Sequence, residues 1–264
     1  MSLPVIVVGA GGRMGKAICG IVEEDPELSL VGMVERPEFQ PAGAPAGCTV
    51  SDDLDAVLQM VSGKAAVIDF TAPAVSVNSA EICARRGAFL VIGTTGLSDE
   101  QKAEIAGYAK KTPVFWSPNM SIGVAVLQKI LPLLTESLGP DYDVDILEIH
   151  HNRKKDAPSG TALMIADAIN AEAGGKYEYV YDRSQVRQKR GAQELGISSI
   201  RGGGIVGDHD VLFCGPEEVV TISHVAQSRG VFADGAVQAA LFLDGCEPGY
   251  YTMTDMLKGK MQCL

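Results

Sequence analysis

Apolar and polar positions follow two different rhythms along this chain. In the first part, short apolar runs, Val5-Ile6-Val7-Val8, Leu28 to Val34, Ala65 to Phe70, Phe89 to Ile92 and Pro113 to Trp116, read as strands. Between them, Lys16 to Glu24, Leu54 to Val61, Val75 to Arg86 and Asp99 to Lys110 carry helical spacing. Strands alternating with helices predict a parallel sheet. A Pro- and Gly-rich stretch, Pro37 to Gly47, reads as a loop. From about Ser121 the rhythm changes. A helix runs to Leu138, Asp143 to His150 alternates as a strand, and Leu163, Ile165, Ala166 and Ile169 recur at near-helical spacing after Ser159. Tyr177 to Tyr181, Gly196 to Arg201, Asp210 to Phe213 and Val219 to His224 then read as strands with no comparable helices between them. That pattern predicts a mixed or antiparallel sheet. Val231 to Leu243 is a helix that returns to the first domain, and the tail Tyr250 to Leu257 closes the chain.

The first strand runs into Gly9-Ala10-Gly11-Gly12-Arg13-Met14-Gly15 and then a helix, the order a dinucleotide-binding fold requires. The strict G-x-G-x-x-G spacing fails at Met14; Gly9-x-x-Gly12-x-x-Gly15 fits. The second strand ends in Glu35, twenty residues after Gly15, where a carboxylate can accept hydrogen bonds from the ribose diol of NAD. Arg36 follows, and its guanidinium can hold a 2′-phosphate instead, so the pair leaves NADH and NADPH both open. Ligands of parallel sheets lie beyond the strand C-termini, which assigns Thr71-Ala72-Pro73, Gly93-Thr94-Thr95-Gly96 and Ser117-Pro118-Asn119-Met120 to the cofactor cleft. The fold expected is therefore α/β: a Rossmann-type parallel-sheet domain over 1–120 and 229–264, and a second α+β domain with a mixed sheet over 121–228, with hinges near Met120 and Arg229.

The densest chemistry lies in Glu148-Ile149-His150-His151-Asn152-Arg153-Lys154-Lys155-Asp156-Ala157-Pro158-Ser159-Gly160-Thr161-Ala162. Two histidines at a strand end supply groups that titrate near neutrality. Ser159 caps a helix whose first N–H groups, at Gly160 and Thr161, point with the positive end of the helix dipole at an anion, and Lys154 faces the same mouth. Adjacent on a strand, His150 and His151 point to opposite faces and make a poor zinc pair, so no metal is expected. His209, read as part of the glycine-rich loop of Gly202-Gly203-Gly204, and His224 at a strand end have only weak claims to a role. Arg201 reads as a surface ion-pair residue, and Asp52-Asp53 as a solvated helix start.

The 264 residues are 46% hydrophobic and 21% charged, an ordinary globular composition. A net charge of −11 argues against nucleic-acid or anionic-membrane partners. Cys19, Cys48, Cys83, Cys214, Cys246 and Cys263 form no C-x-x-C pair, and the N-terminus has no signal-like region, which points to a reduced, cytoplasmic protein. No apolar run is expected to approach the roughly 20 residues that cross a bilayer.

The stretch from Glu148 to Ala162 resembles the signature of the dihydrodipicolinate reductase (4-hydroxy-tetrahydrodipicolinate reductase) family, and the likeness extends over the whole chain. The loop from Gly9 to Gly15, Asp69-Phe70-Thr71, Gly93 to Gly96, Asn119 to Val124, Ser228-Arg229 and Phe232 to Ala236 all resemble family segments. Ala125 departs from it, standing where many members carry Asn. The resemblance implies NAD(P)H-dependent reduction of a dicarboxylate in lysine and diaminopimelate synthesis. It makes His150 the proton donor and acceptor, Lys154 a second proton donor, and His151, Ser159, Gly160 and Thr161 substrate-binding. Gly9, Ala10, Gly11, Gly12, Arg13, Met14, Glu35, Arg36, Gly93, Thr94, Thr95, Ser117, Pro118, Asn119, Met120 and Arg229 become cofactor contacts. It further implies a substrate-binding and oligomerisation role for the second domain and a homotetramer joined through its sheets. The alternatives are another NAD(P)-dependent amino-acid or sugar dehydrogenase, or a non-enzymatic dinucleotide sensor.

If Glu35 and Arg36 read the 2′ position, Glu35→Ala weakens NADH more than NADPH and Arg36→Ala does the reverse. Titration of both variants by cofactor fluorescence checks this; equal weakening of the two cofactors places the discrimination elsewhere.

Overall fold

A computed structural model describes residues 2–39, 43–181, 183–184 and 187–261. Gln40, Pro41 and Ala42 of the expected loop, and Cys263, lie outside the described residues. The chain divides into two compact units, 1–122 with 229–264, and 123–228.

The first unit contains β1 (Leu3–Val8), α1 (Arg13–Glu24), β2 (Leu28–Val34), β3 (Thr49–Ser51), α2 (Leu54–Met60), β4 (Ala66–Asp69), α3 (Pro73–Arg86), β5 (Phe89–Ile92), α4 (Asp99–Tyr108) and β6 (Pro113–Trp116). Beyond it come α5 (Ile122–Leu138), β7 (Asp143–His150), α6 (Gly160–Glu172), β8 (Glu178–Val180), β9 (Glu194–Arg201), β10 (Asp208–Cys214) and β11 (Val219–Val225). The chain then returns to the first unit with α7 (Gly230–Leu243), β12 (Gly249–Tyr251) and α8 (Met253–Met261).

The first unit is built on a parallel sheet ordered β3-β2-β1-β4-β5-β6-β12. The order reverses at β1, the switch point of a Rossmann-type sheet. β4 and β5 are buried at every position, as strands covered on both faces must be. Packed on one face, α2, α3 and α4 contribute Leu54, Val57, Ala80, Cys83 and Ile105 to a core shared with Ile6, Val67 and Leu90. α1 packs against α7, which also contacts β4, β5 and β6. Among the elements above, hydrophobic spacing does not reveal β3, β12 or α8. β3 is too short for an apolar period to register, the tail contributes edge strand β12, and α8 follows it.

The second unit is a mixed sheet ordered β11-β10-β7-β9-β8, antiparallel between β11, β10 and β7 and parallel between β7, β9 and β8. Leu127 and Leu131 of α5 and Ala162, Ile165, Ala166 and Ile169 of α6 pack on Val144, Ile146, Leu195, Ile197, Val211 and Phe213 of the sheet. The expectation about long apolar runs needs correction. Ile122–Asp141 spans 20 residues with a mean hydropathy of 1.3, which by length and composition alone is enough to cross a membrane. Its buried residues Leu127 and Leu131 are in the core of this unit, while Ile130 and Leu133 are exposed. Cys19, Cys48, Cys83, Cys214 and Cys246 are free thiols.

α7 approaches the segment after β6 so closely that a Cβ on Gly235 would lie 1.7 Å from the Met120 carbonyl oxygen. Backbone cannot yield as a flexible side chain can. Gly235→Ala is therefore expected to cost about 1–3 kcal/mol of stability, read as a lower urea midpoint. An unchanged midpoint would show that α7 can move away freely.

Candidate active site

In the first unit, β1 leads into α1 through the glycine turn. Gly9 has φ 79°, the left-handed region that favours glycine. Gly12 is the N-cap of α1, and a Cβ on Gly15 would lie 2.1 Å from the Gly9 carbonyl oxygen. The Gly9-x-x-Gly12-x-x-Gly15 spacing thus has a steric cause: the helix sits directly on the turn. Arg13 and Met14 open α1, and Ala10 is buried.

The Gly11 N–H donates to Glu35 Oε2 (3.2 Å) and the Arg36 N–H to Glu35 Oε1 (3.0 Å), which hold the carboxylate beside the turn. The Arg36 guanidinium stacks 4.7 Å above the Phe39 ring and lies 3.7 Å from Glu38. Gly9, Gly12, Glu35, Arg36 and Thr71 line one cavity of about 650 Å³. Asp52 lines it too, whereas its neighbour Asp53 caps α2 by accepting from the N–H groups of Asp55 and Ala56.

The loops after β4, β5 and β6 are largely occupied with one another. Thr94 is buried, and its hydroxyl oxygen accepts from the Thr71 N–H (3.1 Å) and the Ser76 hydroxyl (2.8 Å). Asp69, fully buried, accepts from the Thr71 N–H and hydroxyl and from the Ser79 hydroxyl. Burial pushes its carboxyl up despite those bonds. A Cβ on Gly93 would strike the Phe70 ring at 2.1 Å. Thr95 and Pro118 are exposed. The Ser117 hydroxyl donates to the Asn119 carbonyl oxygen (2.6 Å), and Asn119 Oδ1 accepts from the Ser121 N–H (2.8 Å). Met120 is buried, and Arg229 is the N-cap of α7.

The second unit holds the titratable cluster. Along β7 the buried positions are Val144, Ile146, Glu148 and His150, so one face of one strand passes from aliphatic core to carboxylate and imidazole. In register, Glu148 lies opposite His209 of β10 and Ser199 of β9, and His150 lies opposite Arg201. Glu148 has no exposed surface. Its Oε1 accepts from Arg201 Nη2 (2.7 Å) and the Ser159 N–H (3.1 Å). Its Oε2 accepts from Arg201 Nη1 (2.8 Å) and lies 2.5 Å from His150 Nδ1.

Burial alone would raise the Glu148 carboxyl, but hydrogen bonds from Arg201, Ser199 and His150 outweigh it and bring it down to about 2. Burial lowers His150, opposed by Glu148 and reinforced by Lys154 and Arg201. The His209 ring meets the His150 ring edge-on at 5.2 Å, and its Nε2 lies 3.0 Å from the Ser159 hydroxyl. Burial and then the neighbouring His150 and His224 hold His209 down at about 4.

The remaining signature residues form the loop and helix start that follow. The His151 N–H donates to the Ile205 carbonyl oxygen (2.8 Å), and Lys154 Nζ lies 2.7 Å from Asp156 Oδ2. Ser159 caps α6 by accepting from the Ala162 N–H (3.1 Å) and is itself buried. Its hydroxyl is therefore taken up inside the protein, while Gly160 is exposed and Thr161 half-buried in the first turn of α6. Two expectations are corrected. Arg201 is the chelating partner of a buried carboxylate instead of a surface residue, because β9 pairs parallel with β7. His209 sits within β10, beside Glu148, instead of in a loop. In the sequence Glu148 stands out only as part of the signature. The signal that could have found it is the two-residue period, which puts Glu148 on the His150 face.

A group with a depressed folded-state pKa contributes stability above its unfolded value and loses it as pH falls through the folded value. For His209 that window runs from 6.5 down to about 4. Wild-type Tm should fall across it, and His209→Gln should flatten the decline by at most about 3 kcal/mol. Thermal melts across that pH range check it, and an equal slope in both proteins would rule out buried neutral His209 as the cause.

Residues 3–120 match the family profile for the N-terminus of dihydrodipicolinate reductase and residues 123–257 that for its C-terminus. The 4-hydroxy-tetrahydrodipicolinate reductase of Oleidesulfovibrio alaskensis is 50% identical over 260 residues, covering 97% of this chain and 100% of that protein. The enzyme of the same description from Nitratidesulfovibrio vulgaris (strain Miyazaki F) is 48% identical over 260 residues, with coverage of 97% and 100%. The solved dipicolinate-bound dihydrodipicolinate reductase of Paenisporosarcina sp. TG-14 shares the fold, with a TM-score of 0.79 over 96% of this chain and 98% of that one at 24% identity. The chain belongs to the dihydrodipicolinate reductase family.

Proposed function

We propose that this protein reduces 4-hydroxy-tetrahydrodipicolinate to tetrahydrodipicolinate with NADH or NADPH, releasing water and oxidised cofactor. The observation that carries the reading is His150 held by a buried carboxylate two residues before it on β7, ahead of Lys154 and the α6 helix start. Full-length similarity to the 4-hydroxy-tetrahydrodipicolinate reductases supports the same reaction.

The cofactor fits the first unit. Gly9 and Gly12 leave backbone uncovered along the cavity, with Glu35 and Arg36 at its side. Glu35 suits a free ribose diol and Arg36 a 2′-phosphate. Loss of water from the 4-hydroxy compound gives a conjugated imine, and to that imine the dihydronicotinamide, when bound, would supply a hydride. His150 then delivers a proton to the electron-rich product, a role suited to an imidazole. Lys154 neutralises the developing negative charge, and His151 with the Gly160-Thr161 helix start holds a carboxylate. The Ser159 hydroxyl shapes that helix start from beneath. Asn119, Met120 and Arg229 flank the crossings between the units at 122–123 and 228–229.

We place the cofactor in 1–120 with 229–264 and the substrate in 121–228. A homotetramer joined through the second units' sheets is supported by the exposed Ile200, Val219 and Val225 on that sheet. Reduced thiols and the acidic surface support a cytoplasmic setting without nucleic-acid or membrane partners.

The test is NAD(P)H oxidation with freshly generated synthase product, with pyruvate and aspartate semialdehyde alone as controls. His150→Ala should keep cofactor affinity and lower turnover about 10²-fold or more. Lys154→Ala should lower turnover, and Thr161→Ala should chiefly raise KM. No oxidation by wild type would overturn the reading, and wild-type turnover in His150→Ala would remove that residue from the mechanism.

A further inference from the structure

The two ring nitrogens of His150 have unlike surroundings. Nδ1 lies 2.5 Å from Glu148 Oε2, deep in the unit, while a Cβ placed on Gly207 would come within 2.9 Å of Nε2. Glu148 itself cannot swing. Two Arg201 nitrogens and the Ser159 N–H bind its oxygens, and Arg201 Nη2 also donates to the Asp156 carbonyl oxygen (2.6 Å). The charged and titratable groups around His150 are Glu148 on its own strand, Arg201 on β9, His209 on β10, and Lys154 in the following loop.

We propose that Glu148, clamped by Arg201, is the positioning residue of the reductase reaction: it fixes His150 with Nδ1–H donated inward, so that Nε2 is the nitrogen that exchanges the proton, and Gly207 keeps Nε2 uncovered. The inference rests on the proposed function and deepens it. A carboxylate carrying two guanidinium bonds stays ionised, so it can only accept from the imidazole. Neutral His150 is thereby held as the Nδ1–H tautomer, with Nε2 open to take a proton from water and pass it to substrate. The same negative charge favours the imidazolium that must form before each transfer. The proton balance closes: Nε2 gains one proton from solvent and gives one to the substrate, and Glu148 neither gains nor loses any.

The experiment compares wild type with Glu148→Gln, Glu148→Asp and Gly207→Ala by turnover against pH and by nitrogen-15 NMR of the His150 ring. Proton donation requires imidazolium, so the alkaline limb of the kcat profile follows the His150 pKa. In Glu148→Gln the loss of negative charge should move that limb to lower pH, lower kcat about 10²-fold or more, and abolish the preference for protonated Nδ1. NADH affinity should hold. Glu148→Asp, which keeps the carboxylate, should recover the limb position in part. Gly207→Ala leaves every charge in place, and displacement of the ring should lower kcat on the order of 10²-fold.

If Glu148→Gln lost only folded protein while its remaining fraction kept the wild-type limb and tautomer, the positioning role would be overturned. So would a wild-type ring protonated at Nε2 in its neutral form. The NMR result needs no turnover, so failure of the reductase reading, seen as inactive wild type, is distinct from failure of this one.

Discussion

Removing a carboxylate wholly from water costs several kcal/mol unless its oxygens are met by donors of matching geometry. Glu148 meets that condition only because three strands and a helix start converge on it: β7 carries it, β9 brings Arg201, β10 brings His209 alongside, and α6 begins where the Ser159 N–H can reach Oε1. Each neighbour is fixed in turn. The order β10-β7-β9, the register of both pairings and the loop from His151 to Ser159 are all bound to one buried charge. Replacing Glu148 with an aliphatic residue would leave the Arg201 guanidinium without its counterion. The site and the fold of the second unit therefore share a single electrostatic constraint.

The first unit answers to a different constraint, the closeness of backbone to backbone. Gly15 lets α1 rest on the Gly9 carbonyl, Gly93 makes room for the Phe70 ring, and Gly235 admits α7 against the Met120 carbonyl. These positions lack side chains because other parts of the fold occupy the space. The resulting turn leaves Gly9 and Gly12 bordering the cavity where a nucleotide is proposed to lie. Hydrogen bonding among Asp69, Thr71, Ser76 and Thr94 stiffens the neighbouring strand ends. Thr94 thus serves the loop itself more than it offers a hydroxyl outward.

Much of this architecture was legible along the chain, because its elements are long enough to show a period. The five apolar strands from β1 to β6 other than β3, the alternation with helices, and the change of rhythm near Ser121 all follow from hydrophobic spacing. The glycine spacing and Glu35 at the end of β2 were readable too, since each expresses a local steric or electrostatic need. β12 was not, as its three residues gain their place only by pairing with β6.

β7 shows where local reading stops. Its sequence offers Leu147 and Ile149 as the obvious inward pair near its end, yet the buried face continues from Val144 and Ile146 to Glu148 and His150. Hydrophobicity alone prefers the other assignment, because a lone carboxylate in a core is unfavourable. It becomes stable only when Arg201, far along the chain, arrives by parallel pairing. Local sequence settles the longer elements, the glycine turn and the titratable cluster at the end of β7, all of which depend on neighbours a few residues apart. Only the assembled sheet brings Arg201 and His209 to the Glu148–His150 face, because strand order and register set the partners of a buried charge, and no local pattern encodes them.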